Sequence, residues 1–149
     1  MNQAAKIQKE TKYPLDVIKQ FNNMEQYEIL QKAGLKPVTI NGKTALVRGD
    51  INLNYVDEVS NLTNLQRMEK GLSALDPSGQ PYELHHIGQK VDSTLAILTK
   101  SEHMQNGNNR IWHPIDALTD NPSSKSGWAA EKANFWIETA KYLKTFGGT

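Results

Sequence analysis

All four histidines of the chain fall between His85 and His113. Two are adjacent in the string Glu83-Leu84-His85-His86, His103 follows an apolar run, and His113 lies ten residues further on. Imidazoles crowded like this in a chain without cysteine point to a metal site of nitrogen donors, with one histidine left to move a proton. Neighbouring side chains on an extended strand face opposite ways, so His85 and His86 cannot serve one ion equally. One can ligate while the other faces a substrate as a base. Metal-assisted hydrolysis of a phosphodiester needs that division: a cation neutralises the phosphate and the leaving oxygen, and an imidazole takes a proton from water. For imidazole donors zinc ranks first, with nickel, manganese and magnesium as alternatives.

His85, His103 and His113 rank first as the ligand set, and His86 as the base. On one continuous helix His103 and His113 would stand about 15 Å apart, too far to share an ion. The chain must therefore fold back between them, and Asn106-Gly107-Asn108-Asn109 has the composition to let it. If it does not, one of the two is not a ligand. Asn109 and His113, four apart, could instead share a helical face, which makes Asn109 a further candidate site residue. A structural zinc would account for three histidines but not for the fourth beside them.

Local signals place these residues on elements. Asp76-Pro77-Ser78-Gly79 reads as a type I turn feeding a strand over Tyr82 to His86, and Leu95 to Leu98 suits a second strand. Thr99 and Glu102 form a capping box, so a helix should begin near Lys100 and carry His103 in its first turns. Pro114 biases His113 away from helical geometry. Upstream, Asn23 should cap a helix to about Lys32 that Gly34 ends. Val38 to Ile40 and Thr44 to Val47 flank Asn41-Gly42, a hairpin signal. Thr63 should cap a short helix over Asn64 to Lys70, closed by Gly71. Ser126 should cap a last helix, about 126–146, in which Trp128, Phe135, Trp136, Thr139, Tyr142, Leu143 and Phe146 recur at helical spacing. That stripe reads as core packing first and as a base-stacking surface second.

The 149 residues fit one domain with a real core. A net charge of +1 does not announce nucleic-acid binding, although Lys6, Lys9, Lys12, Lys19, Lys32, Lys36, Lys43 and Arg48 make the first third mildly basic. Zero cysteine removes disulfides and thiolate metal sites. No apolar run is long enough to span a bilayer, and none suits a secretory signal. Residues 1–12 are expected to be loose, and the polar start Met1 to Lys6 is expected to be a cut edge of a larger parent chain.

At Glu83-Leu84-His85-His86-Ile87-Gly88-Gln89 the chain resembles the LHH family of the HNH/endonuclease VII superfamily, nuclease toxin domains at the C-termini of bacterial polymorphic toxins. The resemblance continues through Ser93 to Thr99, Glu102-His103 and Trp112-His113, and upstream through Ile40 to Arg48 and Asn54 to Asp57. Glu-Leu-His-His is also similar to the motif of colicin-type DNases, which share a ββα-metal core. The resemblance implies that His85 is the first metal ligand and His86 the general base. It implies that His103 is the helix-borne ligand, and His113 a further ligand or phosphate contact. Glu83 resembles the carboxylate that orients a catalytic-site arginine. The chain departs from the pattern at Ser93, where the family's central asparagine should brace the loop holding the base. Asn108, Asn109 or backbone groups are left to do that work.

The expected fold is therefore α+β, a ββα-metal (HNH, His-Me finger) core over about 80–115, with surrounding helices and an N-terminal β-hairpin. The expected function is a metal-dependent DNase toxin of interbacterial competition, as in contact-dependent growth inhibition. It would be delivered by the producing bacterium as part of a larger secreted toxin and act in the target-cell cytoplasm. Its partners would be DNA and a cognate immunity protein, acidic where it meets a basic substrate groove. An RNase with the same site is one alternative. A non-catalytic, zinc-stabilised nucleic-acid-binding module is the other.

Overall fold

The computed structural model describes residues 13–105, 107–114 and 118–146. The expectation for residues 1–12, and Asn106 of the expected bend, lie outside the described residues. In chain order the elements are α1 (Leu15–Ile18), α2 (Met24–Ala33), β1 (Lys36–Ile40), β2 (Lys43–Val47), α3 (Asn64–Glu69), β3 (Glu83–His86), β4 (Leu95–Leu98), α4 (Lys100–Met104), α5 (Asn108–Trp112) and α6 (Trp128–Phe146). Short 3₁₀ turns cover Ile87–Gln89 and Pro122–Ser124. The expected α+β class holds.

Most local signals act as their chemistry dictates. Asn23 accepts from the Gln26 amide and opens α2, and Gly34 closes it in the left-handed region. Asn41 and Gly42 take positive φ, 56° and 74°, which matches the twist of the two strands they join. Thr63 caps α3 through a full capping box with Gln66, and Thr99 does the same for α4 with Glu102. The strand carrying the paired histidines begins at Glu83 rather than Tyr82; Pro81 instead forms an isolated bridge with Leu75. The last helix begins at Trp128, not after Ser126, because the Gly127 carbonyl accepts its first bond, from Glu131.

The four strands form one sheet in the order β1-β2-β4-β3. Hairpin β1–β2 and the pair β3–β4 are each antiparallel, and β2 meets β4 in parallel, with Leu46 opposite Ala96. Both faces of the sheet are covered. Leu84, Leu95, Ile97, Ala45 and Val47 pack against α3 and α6 through Met68, Phe135, Trp136 and Leu143. Leu46, Ala96 and Leu98 pack on the opposite side against Val17, Tyr27, Leu30 and Trp112. A strand buried on both faces reads as a continuous apolar run, which is what Leu95-Ala96-Ile97-Leu98 is. β3 is an edge strand, so the side chains at its end are walled by loops rather than by another strand.

Candidate metal centre and cleft

His85 lies opposite Ala96, and His86 opposite Leu95, so the two project to opposite faces of the sheet. On His85's side, α4 ends at Met104, Gly107 takes φ +83°, and α5 returns to bring His113 back. Ring centroids of His85, His103 and His113 are then 4.9, 5.2 and 5.1 Å apart. One nitrogen from each lies within 4.8 Å of the others. His103 Nε2 stands 3.1 Å from His85 Nδ1. Nitrogens on a tetrahedral zinc with bonds of about 2.0–2.1 Å would sit about 3.3 Å apart, so this pair is already at coordination spacing.

Two of the rings are held so that they offer the right atom. His103 Nδ1 donates to Glu83 Oε1 at 2.9 Å, and His113 Nδ1 donates to the Asn109 carbonyl at 3.0 Å and to its Oδ1 at 2.9 Å. With both Nδ1 atoms committed as donors, both Nε2 atoms carry lone pairs that can ligate a cation, the one on His103 here accepting from His85 Nδ1. The donor set fits a divalent ion. Burial, followed by the nearby charges of His103, His113 and His86, holds the His85 imidazole well below its ordinary pKa. Burial also lowers His103, outweighing the carboxylate of Glu83. Neutral imidazoles are the form that ligates.

Glu83 and Asn109 thus hold the rings of His103 and His113. Among the described residues Glu83 pairs with His103, not with an arginine as the resemblance implied. Ser93, at the departed asparagine position, donates from Oγ to the Lys90 carbonyl at 2.8 Å and closes its own loop. Asn108 donates to the Ser101 carbonyl and ties α5 to α4.

His86 is only 3% exposed, its ring lies 4.7 Å from that of Trp128, and neither of its nitrogens has a hydrogen-bond partner among the described residues. Glu131 Oε1 is the nearest carboxylate to it, at 4.0 Å from Nε2. Burial first, then Lys43, push its pKa down to about 4. A cleft of about 380 Å³ runs along the free edge of β3 and is lined by His85, His86, His103 and His113, with the Pro122–Ser124 turn among its other walls. The edge position lets two opposite-facing imidazoles border one space.

Three residues support the site in roles that no local signal in the sequence marks. Arg48, immediately after β2, is 4% exposed and binds both Asp50 and Glu102. Trp112 donates from Nε1 to the Glu102 carbonyl at 3.0 Å and packs its ring 4.8 Å from His85. Trp128 covers His86, a contact that helical spacing alone could not distinguish from core packing. Asn23 and Gln26 both donate to the Ile111 carbonyl and moor α5 to α2.

A family model described as a nuclease of the HNH/ENDO VII superfamily with conserved LHH matches residues 63–142, just over half of the chain. The match takes in all four histidines and leaves the β1–β2 hairpin outside. No curated protein and no solved structure matches the chain.

Proposed function

Because the chain belongs to the LHH family of the HNH/endonuclease VII nuclease superfamily, we propose that it is a metal-dependent endonuclease hydrolysing phosphodiester bonds in DNA. The observation that carries this reading is that all four histidines border one cleft, three as a ligand set and one beside it. His85, His103 and His113 would hold the divalent ion, zinc first among the candidates. When bound, that ion supplies neutralisation of the phosphate and of the leaving oxygen.

His86 is the base in this reading. It is neutral at pH 7, so one ring nitrogen has a lone pair ready for a proton from water. A pKa of about 4 makes a weak base, and a phosphodiester anion entering the cleft raises it toward neutrality. Glu83 and Asn109 keep His103 and His113 in their ligating tautomers and do not themselves move a proton.

The Leu-His-His-Ile-Gly-Gln resemblance supports placing the domain in a larger secreted toxin that acts on DNA in the cytoplasm of a competing cell. A cognate immunity protein would then guard the producer. The decisive experiment incubates plasmid DNA and total RNA with the purified protein, with and without divalent metal and chelator, beside a His86→Ala control. Metal-dependent DNA cutting lost in the variant is expected. RNA degradation alone would change the substrate, and intact nucleic acid throughout would sink the nuclease reading.

A further inference from the structure

The histidine cleft does not end at His103. A second hollow of about 360 Å³ adjoins it, and Leu84, His103 and Ser123 line both. Beyond them the walls include Pro81, Glu83, Trp128 and Lys132, and the Glu83 carboxylate is engaged there by His103 Nδ1. An indole and a proline ring are flat apolar surfaces, and a lysine beside them is a point charge for a phosphate. Among the described residues no carboxylate lies within ion-pair distance of Lys132, so its charge is not already neutralised. Phe135 and Trp136, from the same aromatic stripe, are buried in the core, whereas Trp128 is only partly covered.

We propose that this hollow is a nucleotide subsite that receives an unpaired base next to the scissile phosphate, with the base stacked on Trp128 and its phosphate held by Lys132. The inference rests on the nuclease reading and deepens it. A base can enter the hollow only after leaving a duplex stack, and unstacking costs free energy that a single strand does not incur. The subsite therefore selects single-stranded or locally opened polynucleotide over intact duplex. One chain runs through both spaces: its reacting phosphate lies among the histidines, and its next nucleotide passes His103 and Ser123.

The test measures binding of a fluorescent single-stranded 12-mer and of a matched hairpin duplex, without added metal, for the wild-type protein, Trp128→Phe, Trp128→Leu and Lys132→Gln. Metal-supplemented cleavage is followed separately. Loss of one stacked base should weaken single-strand binding by at least about fivefold in Trp128→Leu, while Trp128→Phe keeps most of it. Lys132→Gln, a partly exposed change that leaves the core intact, should weaken binding and lower the salt slope by about one ion. Equal binding by all four proteins, or a preference for duplex, overturns the subsite, even if the wild type cuts DNA. Tight single-strand binding that depends on Trp128 and Lys132, with no cutting under any metal, supports the subsite and overturns the nuclease reading instead. A protein that binds no oligonucleotide overturns the subsite, and one that also leaves nucleic acid intact under every metal overturns both.

Discussion

Arg48, the residue that follows β2, and Glu102 on α4 form a two-pronged ion pair, Nη1 to Oε1 at 2.7 Å and Nη2 to Oε2 at 3.3 Å. Glu102 Oε1 also accepts from the Thr99 amide at 2.8 Å, and the Glu102 carbonyl accepts from Trp112. One residue therefore holds the start of the helix carrying His103 and the tryptophan that precedes His113. Arg48 anchors that residue to the sheet.

Replacing Arg48 by methionine leaves the Glu102 carboxylate without its buried counter-ion. The expected loss is about 3 kcal/mol of stability, read by urea unfolding, together with weaker zinc binding by calorimetry. Arg48→Lys should recover only part of either, since one ammonium cannot span both carboxylates. Unchanged zinc affinity in Arg48→Met would show that the pair supports the fold alone.

Glu83 and Asn109 separate in the same assay. Glu83 is the only acceptor given to His103 Nδ1 among the described residues, so Glu83→Gln should weaken metal binding by about 10–100-fold. His113 Nδ1 keeps the backbone carbonyl of residue 109 when the side chain is removed. Asn109→Ala should therefore cost distinctly less. Equal losses would mean that the backbone bond does not orient the ring.

His86 sits buried with two nitrogens that have no hydrogen-bond partner among the described residues, an arrangement that costs stability. His86→Leu should unfold at a denaturant concentration equal to or above that of the wild type, bind metal normally, and fail to cut DNA. A variant that cuts at the wild-type rate would remove His86 from the chemistry.

Acid should destabilise the metal-free protein over a defined window. His85, His86 and His103 all titrate below the ordinary histidine value of 6.5 when folded, His86 at about 4. Above about pH 6.5 they are neutral in both folded and unfolded chains and contribute nothing. As pH falls from about 6.5 towards 4, the unfolded chain takes up protons that the folded one refuses, and stability drops. Thermal unfolding at pH 7.5, 6 and 5 should show a falling midpoint, and His86→Leu should flatten the slope. A midpoint indifferent to pH would contradict the burial of these rings.

Gly88 follows the paired histidines at φ +77°, and a Cβ there would lie 2.7 Å from the Gln20 carbonyl oxygen. Gly88→Ala should lower stability by about 1–3 kcal/mol through strain and backbone displacement. Since Gln20 also accepts from the Thr94 amide, the loop between β3 and β4 should loosen with it, measured as faster amide exchange. Wild-type exchange in that loop would show that the approach is relieved elsewhere.

Everything decided within a few residues was legible in the chain itself. The Asn41-Gly42 turn, the capping boxes or caps at Asn23, Thr63 and Thr99, the break at Gly107 and the opposed faces of His85 and His86 follow from local hydrogen bonding and dihedral preference. The sequence also ranked His85, His103 and His113 together, because donor chemistry and the need for a fold-back left few other sets. Tertiary structure alone decided which partners complete them. Nothing local tells Arg48 that Glu102 will lie beside it, or turns Glu83 toward His103, because those contacts depend on which strands become neighbours. The same holds for the edge position of β3. Only there can two side chains pointing to opposite faces border a single cleft, since no further strand separates them.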